Sequence, residues 1–146
     1  MYKILDDLLN AILKTNFDSL NLILEKYNGT DWEKFIVLDT KNYYRYKLFK
    51  NDEYEIFIIT WNTLQNAPIH DHSLNGCWLK VLKGTLIENI YSNDLKHIKT
   101  NELKTNDISF MKNNIGFHSI NNKDEIAITL HVYNPPNHKT TFFIKK

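Results

Sequence analysis

Arginine and cysteine each occur once in this chain of 146 residues, at positions 45 and 77. A single cysteine excludes an internal disulfide framework and any zinc site built from several thiolates. Glycine is held to four residues and proline to three, too few for a collagen-like repeat or a Pro/Gly-rich linker. Neither charge dominates: 18 basic residues face 17 acidic ones for a net charge of +1, which gives no ground for a nucleic-acid partner. No apolar run approaches the ~20 residues that cross a bilayer as a helix. The N-terminus lacks a basic segment followed by an apolar stretch and a small-residue cleavage site. These absences predict one cytoplasmic domain, monomeric and without membrane attachment. With 42% hydrophobic and 13% aromatic residues, the chain has enough apolar side chain to bury a core without staples.

The apolar pattern changes character near position 41. Before it, Ile4, Leu5, Leu8, Leu9, Ile12 and Leu13 fall at helical spacing and predict a helix over 2–13 whose stripe packs onto the rest of the protein. Asp18 or Ser19 is placed to cap a second helix carrying Leu20, Ile23 and Leu24, with Gly29 to end it, and Asp31 to cap a short turn through Phe35. Beyond Asn42 come short runs rich in Ile, Val, Tyr, Phe, Trp and Thr, at 43–49, 54–61, 78–83, 85–91, 107–111, 125–133 and 140–145, bounded by Asn, Asp, Gly, Lys and Pro. Short strands at such spacing predict an all-β sandwich or barrel, with Lys83-Gly84 as a hairpin turn. The predicted fold is a single domain over 1–146: a helical N-terminal region to about residue 40, then an antiparallel β-barrel of jelly-roll type over 41–146.

The chemistry concentrates in a few histidines. His70 and His72 stand one residue apart in Pro68-Ile69-His70-Asp71-His72, so on a strand both would face the same way. Cys77 follows five residues on, then Gly84. A second cluster is Gly116-Phe117-His118, with Asn122 four residues later, and Gly116 permits the tight turn that aims His118 inward. Neutral imidazoles suit iron, zinc, copper and nickel. Each piece also has a plain reading: a solvated histidine pair, a turn histidine, a buried thiol behaving as a small hydrophobe, a surface arginine in a weak ion pair. As a thiolate, Cys77 could instead be a fourth ligand, which would favour zinc or a closed iron site.

In order and spacing, His70-x-His72, Cys77, Gly84 and Gly116-x-His118 resemble the two short motifs of the cupin superfamily, with Cys77 where many cupins carry a glutamate ligand. The His, His, Cys, His pattern resembles the cysteine dioxygenase family in particular. Tyr43-Tyr44-Arg45, ahead of a strand ending at Trp61, and Thr129-Leu130-His131-Val132-Tyr133-Asn134-Pro135-Pro136 extend the likeness, the latter resembling that family's Ser-Leu-His-x-Tyr-x-Pro-Pro segment. The resemblance implies that His70, His72 and His118 hold Fe(II), that Cys77 and Tyr133 form a thioether cross-link, and that Arg45 binds the substrate carboxylate. It also implies that Tyr43 lines the pocket and His131 holds the Tyr133 hydroxyl. Asn134-Pro135 is a place for a cis bond. Thr129 replaces the family's usual serine, which keeps a hydroxyl and adds a methyl, and only Asn137 to Lys146 follow the Pro-Pro pair, which predicts a more open pocket or a larger substrate.

Three neutral ligands leave Fe(II) its full positive charge and favour an anionic thiolate substrate. The expected reaction is that of a thiol dioxygenase, L-cysteine and O2 giving cysteine sulfinic acid. Two alternatives remain: the same chemistry on another small thiol such as a 3-mercaptopropionate-like acid, or a non-catalytic cupin that binds a metal or small ligand.

Overall fold

The computed structural model describes residues 1–123 and 125–144. Helix α1 spans Leu5–Leu13 and α2 spans Leu20–Leu24, with 3₁₀ turns at Phe17–Ser19 and Asp31–Phe35. The strands are β1 (Tyr44–Lys50), β2 (Glu55–Asn62), β3 (Asn66–His70), β4 (Gly76–Lys83), β5 (Thr85–Tyr91), β6 (His97–Lys104), β7 (Ile108–Met111), β8 (Phe117–Asn122) and β9 (Ile126–Asn134). They form two antiparallel sheets, ordered β1-β2-β9-β4-β7 and β3-β8-β5-β6. This is the all-β jelly roll with a short helical N-terminal region that the sequence predicts.

Strand parity gives the larger sheet two cores. Ile56 and Ile58 of β2, Leu82 of β4, and Ile128, Leu130 and Val132 of β9 face the helices and pack on Leu5, Leu8, Ile12, Leu20 and Leu24. Their neighbours Phe57, Ile59, Trp61, Leu79, Val81 and Ala127 face the barrel interior, where Leu86, Leu103 and Ile120 of the other sheet meet them. That double coverage explains why β2 reads as a nearly unbroken apolar run. Lys80, on the helix-facing side of β4, is buried yet satisfied: its ammonium donates to the carbonyls of Leu24, the last residue of α2, and of Tyr27 just beyond it, both at 2.6 Å.

Several local expectations are corrected. Lys83-Gly84 is not a hairpin turn, because β4 pairs with β7 and β9 whereas β5 pairs with β6 and β8. The chain changes sheets there, and Gly84 makes the corner at φ +90°, with the space a Cβ would need only 2.9 Å from the Ile126 carbonyl oxygen. Ser19 precedes α2 but makes no side-chain cap, and the helix stops at Leu24, well before Gly29. Asp31 caps at a distance, accepting from the Leu5 amide at 2.8 Å at the start of α1 and from the Tyr27 hydroxyl at 2.6 Å. Strands β3, β6 and β8 carry too many polar residues to show as apolar runs. The predicted strand over 140–145 is reduced to a bridge between Phe142 and His70, and its last residue lies outside the described residues.

Candidate active site

The two histidine motifs meet across a strand pair. His70 ends β3 and lies directly opposite His118 of β8. His72 sits two residues past the end of β3, so strand alternation does not aim it. Asn113 does, accepting from the His72 amide at 2.8 Å and donating to its carbonyl at 3.1 Å. Gly116 lets β8 begin against β5: its φ is +143°, and a Cβ would come within 2.2 Å of the Tyr91 carbonyl oxygen. One ring nitrogen from each of His70, His72 and His118 lies within 4.8 Å of the others.

Hydrogen bonds orient two of the three rings. His70 Nδ1 lies 2.7 Å from the Pro68 carbonyl, which only accepts, so Nδ1 carries the hydrogen and Nε2 keeps its lone pair. His118 Nδ1 lies 2.8 Å from Glu88 Oε2 and donates to it in the same way. His118 Nε2 then faces His72 Nε2 at 2.9 Å. Two ligands at right angles on one ion, with bonds of about 2.1 Å, stand about 3 Å apart. The donor set therefore fits a metal ion. Burial is the main cause that holds all three imidazoles below their ordinary range, His72 and His118 well below it, where the neighbouring histidines add to the effect. Neutral imidazole is the form that binds metal.

Across the barrel interior, β9 presents Thr129, His131 and Tyr133 on one face. Trp61 Nε1 donates to Thr129 Oγ1 at 2.9 Å, and Thr129 Oγ1 lies 2.8 Å from His131 Nε2. Because indole only donates, the hydroxyl can pass its own hydrogen to His131 Nε2. His131 Nδ1–H then turns to the Tyr133 hydroxyl at 3.3 Å and to Cys77 Sγ at 3.8 Å. Cys77 of β4 is the direct cross-strand partner of Tyr133. Burial pushes its thiol up to about 12, and its sulfur is not among the atoms gathered around the three histidines. The closed four-ligand site thus finds no support in the geometry. Burial likewise raises the Tyr133 phenol well above its usual range, with Cys77 adding to the effect.

Arg45 reaches over these groups from β1. Its guanidinium lies 4.2 Å from the Phe57 ring centroid and 5.6 Å from that of Tyr133. Among the described residues it has no carboxylate within ion-pair reach. Tyr43 stacks on Trp61 with centroids 4.6 Å apart. Arg45, Tyr43, Trp61, His70, His131 and Tyr133 all line one cavity of about 380 Å³, at the small-molecule end of pocket sizes.

The profile of the cysteine dioxygenase type I family matches residues 2–146. The chain belongs to that family. It is 28% identical to human cysteine dioxygenase type 1 over 134 residues, covering 84% of this chain and 67% of the relative, and 29% identical to the enzyme from Danio rerio over 133 residues, covering 83% and 66%. The fold is also that of solved cupins. A double-stranded β-helix protein from Klebsiella pneumoniae matches with a TM-score of 0.65 at 17% identity, over 77% of this chain and 94% of the other. A cupin superfamily protein from Desulfitobacterium hafniense matches with a TM-score of 0.58 at 13% identity, over 73% and 90%. As a member of the cysteine dioxygenase family, the chain is an oxygenase, and the family implies a non-haem metal. No described helix is long and apolar enough to cross a membrane.

Two features of the structure bear on the departures from the family pattern. Thr129 keeps the hydroxyl link to His131 despite its extra methyl. The short C-terminal segment does not leave the cavity bare, because residues 137–143 fold back along β3. Asp71, between the two histidines of the first motif, accepts from His138 Nε2 at 2.9 Å and from the Thr141 amide at 2.8 Å. The Phe143 amide reaches the Ile69 carbonyl at 2.8 Å, and His138, Thr140 and Phe142 join the cavity wall. Sequence reasoning gave His138 and Asp71 no role, and passed over Glu88. Glu88 did leave a signal: a carboxylate at the buried parity of β5, two residues after Leu86. Asn122 serves the scaffold, donating to the Trp61 and Asn62 carbonyls, and His97 is exposed and bonded to Thr100. The Asn134–Pro135 bond is cis.

Proposed function

We propose that the protein is an iron-dependent thiol dioxygenase that converts L-cysteine and O2 to cysteine sulfinic acid, with Fe(II) held by His70, His72 and His118. The observation that carries this reading is a three-imidazole cluster that, among the described residues, contains no carboxylate and whose His70 lines a cavity together with Arg45, which has no ion-pair partner among those residues. Fe(II) bound there would supply the redox chemistry that couples a thiolate to O2. Arg45 offers a rigid fork of donors matched to a carboxylate, and its stacking on Phe57 keeps that fork facing the cavity. Tyr43 and Trp61 form an aromatic wall beside it. The Trp61–Thr129–His131 chain turns a hydrogen toward Tyr133, so the phenol's own hydrogen is free to point at the reacting sulfur or oxygen. Both oxygen atoms join the sulfur, RSH + O2 → RSO2H, with no other reductant.

Oxygen uptake by the iron-loaded protein tests the reading. Cysteine is expected to consume one O2 per thiol and to yield the sulfinic acid by mass spectrometry. Uptake with 3-mercaptopropionate but not with cysteine moves the assignment to a mercapto-acid; uptake with neither leaves a binding protein. Cysteamine is expected to be a poor substrate, because it gives Arg45 nothing to grip.

Cys77 and Tyr133 are further proposed to form a thioether. The C–S bond replaces an S–H and a ring C–H, a two-electron oxidation in which O2 takes up the two hydrogens and is reduced to H2O2. Because the thiol is protonated and buried, the cross-link should form during turnover rather than spontaneously. After turnover, the intact mass is expected to be two hydrogens lower and thiol titration of the unfolded chain to drop. A fully titrating thiol after many turnovers would rule the cross-link out.

A further inference from the structure

Glu88 stands behind the histidine cluster, on the side away from the cavity. Its carboxylate is 1% exposed and held from three directions. His118 Nδ1 meets Oε2 at 2.8 Å, Ser109 Oγ of β7 meets the two oxygens at 3.1 and 2.9 Å, and Asn101 Nδ2 of β6 meets Oε1 at 3.1 Å. Hydroxyl, amide nitrogen and imidazole N–H can all donate to it. Among the described residues no lysine or arginine pairs with it; its only ionic partner is His118. Burying a carboxylate without a counter-charge is unfavourable. A cation held by the far nitrogen of the His118 ring, where the three histidines converge, would offset that cost.

We propose that Glu88 is the positioning residue of the metal centre, acting through His118 to raise metal affinity and lower the metal's reduction potential. The inference rests on the three-histidine metal site argued above. By accepting the Nδ1 hydrogen, Glu88 fixes the tautomer that leaves Nε2 facing its partners, and its charge makes the ring a stronger donor. The commoner two-histidine, one-carboxylate iron site places a negative charge directly on the metal. Here that charge is delivered from one residue further out and takes up no ligand position. A more electron-rich ring stabilises the higher oxidation state, hence the lower potential.

The test compares wild type with Glu88→Gln, which keeps the side chain's shape and an acceptor oxygen but removes its charge. Fe(II) affinity is read by competition with a chromophoric chelator, and the midpoint potential of the iron-loaded protein by equilibrium titration with redox dyes. Glu88→Gln is expected to weaken Fe(II) binding by about 10- to 100-fold and to raise the potential. A merely structural glutamate would change thermal stability but not the potential, so an unmoved potential with affinity within about twofold of wild type overturns the proposal. Ser109→Ala decides the matter if Glu88→Gln does not fold. It removes one donor and leaves the carboxylate less firmly held, so affinity is expected to fall a few-fold, and no change again overturns the role. Should the wild type bind no Fe(II), the three-histidine reading fails first and Glu88's role with it, an outcome visible before any variant is made.

Discussion

His72→Ala is expected to lose metal while leaving the metal-free fold within about 2 kcal/mol of wild type. Outer partners of a ligand histidine alone are worth about 10- to 100-fold in affinity, so removing a ligand should cost more than about 100-fold. The fold should tolerate the change because, among the described residues, His72 Nδ1 is buried without a hydrogen-bond partner and Nε2 faces His118 alone. Its ring is held in place for the metal rather than for the scaffold. His118→Ala makes the contrast. It should lose metal to a similar extent, and it should also destabilise the metal-free protein, because Glu88 is then left buried without the donor it relies on. Elemental analysis after chelator competition and thermal melts of the metal-free variants check both halves. Full metal retention in His72→Ala would remove His72 from the ligand set.

Arg45→Ala is expected to raise the KM for cysteine by about 10- to 100-fold, the range that follows from losing hydrogen bonds to a charged group worth about 1.5–3 kcal/mol. The turnover number should change much less, because a carboxylate grip is made equally in ground and transition states. Among the described residues no carboxylate competes for Arg45, which is what makes the effect large: its guanidinium rests on Phe57 and Tyr133. Arg45→Lys should recover only part of the loss, since an ammonium reproduces the charge but not the fork. Steady-state kinetics on iron-loaded variants read this directly. A KM within about twofold of wild type in Arg45→Ala would place the carboxylate elsewhere in the cavity.

Much of this was legible because the chemistry-bearing residues sit in local patterns. Ile56, Ile58, Leu130 and Val132 announce strands, and their polar or aromatic neighbours at the opposite parity, Thr129, His131 and Tyr133, announce what the inner face is for. What stayed hidden depends on contacts between segments far apart in the chain. Asn113 positions His72 from 41 residues away, and no local pattern foretells it. Glu88 meets His118 only because β5 and β8 pair, and β8 is too polar to be recognised as a strand. The last segment reads as a sheet strand because Thr140, Thr141, Phe142 and Phe143 have strand-like side chains. Its actual place is set by one carboxylate, Asp71, which binds it beside the cavity. Lys83-Gly84 misled for a related reason: the glycine conformation a hairpin needs also serves a corner between sheets.

Strand β9 divides its residues between two jobs by alternation alone. Leu130 and Val132 seal the helices onto the barrel, and His131 and Tyr133 face the reaction chamber. Inserting or deleting a single residue upstream of Thr129 would exchange the two sets, driving an imidazole and a phenol beneath the helices and greasing the chamber with leucine and valine. Here the stretch can diverge by substitution but not by change of length, so the spacing from Ile126 to Tyr133 is fixed by the need to fold and to react at once.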